Sequence, residues 1–283
     1  MNMRMARLAL AVFGALSLLA AACAEQPRGG GGTSPSPEGS PEATFTTVNE
    51  GVLAVGSCLD YPPFESVEGG DEVGFDVDLI EEIASRLGLE VEWVRADFDT
   101  IFTAVAGSQF DVVAAASTIT EERLQTVDFS DPYYNSRQAL VVGPDSDIAS
   151  AADIGEGHVV GVQRGTTGKD WAEENLEPQG AQIKTFQAAP DAFRDLEAGN
   201  IDAIVNDEPS SADIIETNFP DQQIVEAIDT NEKYGFAFSK DNPELTEAVN
   251  GALAETVADG TYEEIFGRYF PGVEIPPEFQ ASA

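Results

Sequence analysis

The sequence is poor in positive charge, in histidine and in cysteine. Its 283 residues carry 14 Lys and Arg against 51 Asp and Glu, a net charge of −37, with one His and two Cys. So few cations exclude a nucleic-acid binder, because neutralising phosphates takes clustered Lys and Arg. They also argue against docking on anionic lipid through a basic face. One histidine leaves no set of imidazoles for zinc, and no calcium-loop spacing occurs among Asp71, Asp76 and Asp78, so no metal site is expected. Glycine-rich phosphate loops of the Walker and dinucleotide types are missing, and no cofactor is expected. A nucleophilic triad would have only His158 to draw on, in Gly155-Glu156-Gly157-His158, a loop leading into a strand and read as surface.

What is present is ample apolar material: 42% hydrophobic residues, including 16 Phe, enough for one large domain or two modest ones. Disorder throughout is excluded on the same ground. The first segment reads as an address. Arg4 and Arg7 precede an apolar run from Leu8 to Leu19, then Ala20, Ala21 and Ala22 lead to Cys23. A positive start, a short apolar stretch and small residues make a secretory signal over residues 1–22. The run is short of the roughly 20 residues that span a bilayer. A cysteine directly after the small residues resembles the lipobox of bacterial lipoproteins, which implies lipidation of Cys23; Ala20 stands where that motif usually has Leu. With Cys23 acylated, Cys58 has no partner for an intramolecular disulfide. Residues 23–46 are rich in Gly, Ser and Pro and suit a flexible tether. The expectation is an extracytoplasmic protein held at the outer face of the cell membrane by its lipid alone, or a periplasmic one.

The body alternates strand and helix. Val52–Gly56, Glu90–Val94 and Asp111–Ala115 read as strands separated by helices at Phe75–Gly88 and Phe98–Ala106. The same grammar returns in strands His158–Gln163, Gln182–Phe186 and Ile201–Asn206 with helices Thr167–Leu176 and Pro190–Ala198. In each half a helix ends on glycine (Gly107, Gly199) before a strand entered through aspartate, a weak internal echo. Alternation of this kind implies βαβ units, mainly parallel sheets and two lobes, with ligand beyond the strands' C-terminal ends.

Two clusters could hold a charged ligand. Ser117-Thr118-Ile119-Thr120-Glu121-Glu122-Arg123 follows a buried strand and is expected to open a helix, offering hydroxyls, backbone N–H groups and an arginine to an anion. Asn206-Asp207-Glu208 ends another strand and could take an ammonium group. An arginine facing an aspartate across a cleft is what a zwitterion requires. Spacing alone does not establish that they face each other.

From about Asn49 to Phe270 the chain resembles the family-3 bacterial extracellular solute-binding proteins, the amino-acid receptors of ABC importers. The match runs through Tyr61-Pro62-Pro63-Phe64, Gly74-Phe75-Asp76-Val77-Asp78-Leu79, Ser117–Arg123 with Val127–Tyr134, Gly161–Thr167 and Asp259–Tyr262. The resemblance implies an α/β, bilobed type II periplasmic-binding-protein fold with two mainly parallel-sheet lobes joined by two hinge strands. Lobe 1 would be residues 47–134 plus 234–275 and lobe 2 residues 137–232. It further implies a monomeric, non-enzymatic receptor that closes on an amino acid and presents it to an ABC permease in the membrane.

Site residues follow from the same likeness. Arg123 would fork the ligand α-carboxylate, helped by Thr118, by backbone N–H groups near Ala116 and by Thr167 from the other side. Asp207 would take the α-ammonium, and Tyr61 and Phe98 would sandwich the side chain. Cys58 stands where several members place an aspartate; Asp60 shares its face of an extended chain and is the candidate to replace that acid, while Gln163 varies with specificity. A polar or basic ligand (Arg, Lys, His, Gln) is expected. The rival readings are a cyclohexadienyl dehydratase-like enzyme, with Asp60 or Glu208 as its acid, and an amino-acid sensor domain.

Overall fold

The computed structural model describes residues 45–281. The expected signal segment, Cys23 and nearly all of the expected tether lie outside the described residues.

The first half runs β1 (Val52–Ser57), the hairpin β2 (Ser66–Glu68) and β3 (Asp71–Val73), α1 (Phe75–Arg86), β4 (Glu90–Arg95), α2 (Phe98–Ala106) and β5 (Val112–Val113). A short 3-10 turn at Arg123–Gln125 and β6 (Asp128–Phe129) lead to β7 (Tyr134–Val142). The second half runs β8 (Val159–Gln163), α3 (Thr167–Asn175), β9 (Gln182–Phe186), α4 (Ala189–Glu197), β10 (Ala203–Asp207), α5 (Glu208–Asn218) and β11 (Gln223–Tyr234). The chain then adds β12 (Ala237–Phe238), α6 (Pro243–Ala258) and α7 (Thr261–Tyr269).

Two five-stranded sheets result, ordered β4-β1-β5-β12-β6 and β11-β7-β10-β8-β9. β1 lies parallel between β4 and β5, and β8 lies parallel between β9 and β10. The echo between Gly107 and Gly199 is therefore an echo of topology: each half is a β-α-β-α-β unit whose first strand sits in the middle. Antiparallel strands β12 and β7 complete the two sheets. The sheets are joined through β7 and β11, paired at Ser136–Glu232, Asn135–Lys233 and Tyr134–Tyr234.

Apolar spacing explains the packing. In α1, Val77, Ile80, Ile83 and Ala84 recur on one face and are buried, together with Phe75 and Leu79. They meet α6, α7 and an aromatic cluster in which Phe75 lies 5.4 Å from Phe270, while Phe64 lies 5.0 Å from Tyr134 and 5.2 Å from Tyr234. Each such side chain contributes about 1.5–3 kcal/mol by burial. On the opposite face, Ile101 and Val105 of α2 pack on Phe110 and Val113. The second sheet is covered likewise, by Ala172 of α3 on one face and by Phe193 of α4 with Ile214 of α5 on the other. At the turn into α1, Gly74 has φ 143°, and a Cβ there would lie 2.0 Å from the Phe64 carbonyl oxygen, so no other residue fits.

One local expectation fails. Residues after Ser117 do not open an α-helix but enter the 3-10 turn at Arg123–Gln125. Thr118 instead forms a bridge with Tyr234, and Ile119 N–H donates to the Lys233 carbonyl, so strand-like pairing holds the segment where a helix was expected.

Candidate functional site

A cavity with about 340 Å³ of empty space, part of it open to solvent, lies where strand ends of the two sheets converge. Cys58, Asp60 and Tyr61 follow β1, Phe98 opens α2, and Ala116, Thr118 and Arg123 follow β5. Gln163 ends β8, Thr167 opens α3, and Asp207 ends β10. All ten residues singled out in the described part of the sequence thus line one cavity. Glu65, Ala115 and Thr166 line it too and were not foreseen. Glu208, the other acid considered for an enzyme, is ion-paired with Arg137 at 2.5 Å and does not line the cavity.

Arg123 is braced from several sides. Its Nη1 donates to the Thr118 carbonyl at 2.7 Å and its Nη2 to the Gly165 carbonyl at 3.1 Å. The guanidinium lies over Phe102 at 4.6 Å and Phe98 at 5.2 Å from the ring centroids. Burial lowers its pKa, opposed by the charges of Asp207 and Glu232, and a guanidinium keeps its proton regardless. The two carbonyls engage part of the fork; the N–H groups left over suit a carboxylate.

Asp207 is buried. Gln138 Nε2 donates to its Oδ1 and the Tyr234 hydroxyl to its Oδ2. Burial, helped by the nearby Glu232 carboxylate, raises its pKa to about 7, against the pull of its Tyr and Gln donors. An ammonium group placed beside it would favour the ionised form.

Asp60 and Glu65 add two more carboxyl groups to the lining, with the Cys58 thiol near them. Glu65 is 1% exposed. Its Oε2 has no hydrogen-bond donor, and neither does Oδ1 of Asp60. Burial raises the Asp60 carboxyl to about 6 despite Arg95, and raises Glu65 well above its usual range, with Asp76 and Asp60 adding to the effect. The Cys58 thiol is pushed up by burial and by Glu65 and Asp60, so it stays protonated. The chain here is not extended: Leu59 has φ 56°, yet Cys58 and Asp60 both reach the cavity.

Other groups are already engaged. The Ala116 N–H, expected near a ligand carboxylate, donates to Oδ2 of Asp76 at 2.8 Å. The Thr118 and Thr167 hydroxyls donate to Oε2 of Glu232 at 2.5 and 2.9 Å. A hydroxyl has one proton, so with these bonds in place both oxygens face a ligand as acceptors. Gln163 Nε2 donates to the Gln187 carbonyl at 3.1 Å. Glu232 and Tyr234 were not singled out in the sequence; they belong to Glu232-Lys233-Tyr234-Gly235, on the strand joining the two sheets. Among the described residues no group of three or more His, Cys, Asp or Glu is placed to hold a metal ion, and no helix is long and apolar enough to cross a membrane.

Residues 53–272 match the family described as bacterial extracellular solute-binding proteins, family 3. The histidine-binding periplasmic protein of Escherichia coli (strain K12) is 32% identical over 236 residues, covering 81% of this chain and 90% of that protein. An ancestral arginine-binding protein, solved bound to arginine, superposes with a TM-score of 0.75 at 41% identity, covering 78% of this chain and 98% of the other. The ancestral amino acid-binding protein AncCDT-1, a precursor of cyclohexadienyl dehydratase, superposes with a TM-score of 0.73 at 38% identity, covering 78% and 96%. The chain belongs to the family-3 bacterial extracellular solute-binding proteins, and its fold is the bilobed α/β fold of that group.

Proposed function

We propose that this solute-binding protein is the receptor of an ABC importer for a basic amino acid. The α-carboxylate lies on Arg123, the α-ammonium at Asp207, and the cationic head of the side chain against Asp60 and Glu65, with Tyr61 and Phe98 flanking its stem. One observation carries this reading: besides Asp207 the cavity is lined by two more carboxyl groups, the buried Glu65 and the half-buried Asp60, each with an oxygen that lacks a donor. A buried acceptor left unpaired costs about 1–3 kcal/mol, and a guanidinium, ammonium or imidazolium supplies the missing N–H groups. Similarity to histidine- and arginine-binding proteins points the same way.

The cycle that follows is hinge closure. Lobe 1 (residues 47–134 and 234–275) and lobe 2 (137–232) rotate about the paired strands near Asn135 and Lys233. Ligand shifts the equilibrium by binding the closed form better. No bond of the ligand is broken. A lipid on Cys23 would keep the receptor near its permease.

A thermal-shift screen of the purified protein against the proteinogenic amino acids, with calorimetry on the hits, tests the reading. A ligand at about 100 times its Kd adds about 2.7 kcal/mol of stability. Midpoint rises confined to Arg, Lys and His support it; a rise only with acidic or aliphatic amino acids, or none at all, overturns it. Turnover of a cyclohexadienyl substrate would overturn the non-enzymatic part.

A further inference from the structure

We propose that Asp99 is the docking point at which the two sheet layers close over the ligand, and that this contact sets how long the ligand stays bound. The inference rests on the receptor reading above. Asp99 lies in the first turn of α2, where the helix N-terminus favours a carboxylate. Its two oxygens take donors from two different loops of the second sheet. Arg164 Nη1 reaches Oδ2 at 3.2 Å, and Gln187 Nε2 reaches Oδ1 at 3.2 Å. Arg164 directly follows β8 and Gln187 directly follows β9. One carboxylate therefore gathers the ends of two neighbouring strands.

The turn beside Arg164 is built to approach. Gly165 has φ 79°, and a Cβ on it would lie 2.9 Å from the Asp99 Cα, so a side chain there would push the layers apart. The Gly165 carbonyl accepts from Arg123 Nη2 at 3.1 Å. Residues 164–165 are thus fastened on the outside at Asp99 and on the inside at Arg123. Asp99, Arg164 and Gln187 do not line the cavity, and the Arg164 side chain is half exposed. They can be changed without touching the groups proposed to hold the ligand.

A ligand that leaves has to part these contacts; one that arrives binds before they form. Their loss therefore falls on dissociation. An exposed ion pair alone contributes little, and here a second donor and a close-packed turn share the same carboxylate.

Stopped-flow tryptophan fluorescence with L-arginine as the probe reads the effect. D99N and R164Q should each raise the dissociation rate about three- to tenfold, with association within about twofold of the parent. Combining them should add little, because both break one contact, and the parent's dissociation should quicken in high salt while the variants' does not. The charge swap D99K with R164E should recover part of the slow dissociation. Unchanged dissociation in D99N and R164Q, with circular dichroism intact, overturns the proposal. Failure of the ligand assignment is read separately, as absence of any response of the parent to L-arginine. The dissociation measurements are then repeated with the amino acid that most raises the parent's thermal midpoint: faster dissociation in both variants supports the docking point, and unchanged dissociation overturns it.

Discussion

The backbone N–H of Ala116 donates to Oδ2 of Asp76, 40 positions away in sequence, at 2.8 Å. The same oxygen accepts from the Tyr133 hydroxyl at 2.7 Å. Ala116 has φ 45°, a left-handed conformation unusual for a residue with a Cβ. The first helix therefore holds the loop that leads to Arg123 from behind. Asp76→Ala leaves two buried donors unpaired and should cost about 2–4 kcal/mol in urea unfolding. Asp76→Asn keeps an acceptor oxygen and should cost distinctly less. Equal losses for the two variants would mean that the acceptor is not what matters.

Arg123 carries the second expectation. Charge-assisted hydrogen bonds contribute about 1.5–3 kcal/mol each, and a forked carboxylate makes two. Arg123→Ala should weaken amino-acid binding at least about a hundredfold in calorimetry. Arg123→Lys should recover only part of it, because an ammonium cannot fork. The thermal midpoint without ligand should fall too, because alanine leaves the Thr118 and Gly165 carbonyls without their donor. Affinity within about threefold of the parent in Arg123→Ala would remove the carboxylate from this place.

The third concerns pH. Without ligand the Asp207 carboxyl titrates at about 7, so below that pH it is mostly protonated. An ammonium group binds the ionised form, and ligand binding must then release a proton. Affinity should therefore be flat above about pH 7 and fall by up to about tenfold per unit below it. Stability without ligand moves the other way. An acid whose pKa is raised on folding is a proton better bound by the native state, so stability is greater at low pH and declines as pH rises from the unfolded value of 3.8 toward 7. Asp76, also raised to about 7 by burial, adds to that decline. Calorimetry in buffers of different ionisation enthalpy reads the released proton directly; a buffer-independent enthalpy at pH 6 would contradict the assignment.

The sequence placed the lining of the cavity well, and the reason is topological. In parallel α/β units the strand ends converge, so motifs ending β1, β5, β8 and β10 had to meet. What it did not convey was how those residues are already paired. The bond from Thr118 to Glu232 spans 114 positions, and that from Ala116 to Asp76 depends on a left-handed residue that no apolar pattern marks. The left-handed Leu59 likewise breaks the extended run assumed between Cys58 and Asp60. Glu65 sits in the Tyr61-Pro62-Pro63-Phe64 motif's own next position, and only its burial beside Asp60 turns an ordinary acid into a candidate specificity group.

That candidate gives the sharpest test of the ligand. Asp60 and Glu65 line the cavity and each has a carboxylate oxygen without a donor, whereas the other polar groups of the lining suit any zwitterion. Replacing both with their amides, Asp60→Asn and Glu65→Gln, keeps size and removes the charge. Binding of arginine and lysine should fall by about tenfold to a hundredfold, whereas glutamine, which needs no counter-charge, should keep its affinity or gain. The amides also remove two acids that burial keeps from ionising freely, so the double variant should be no less stable than the parent at pH 8. A uniform loss for basic and neutral amino acids alike would show that Asp60 and Glu65 shape the cavity without reading the side chain's charge.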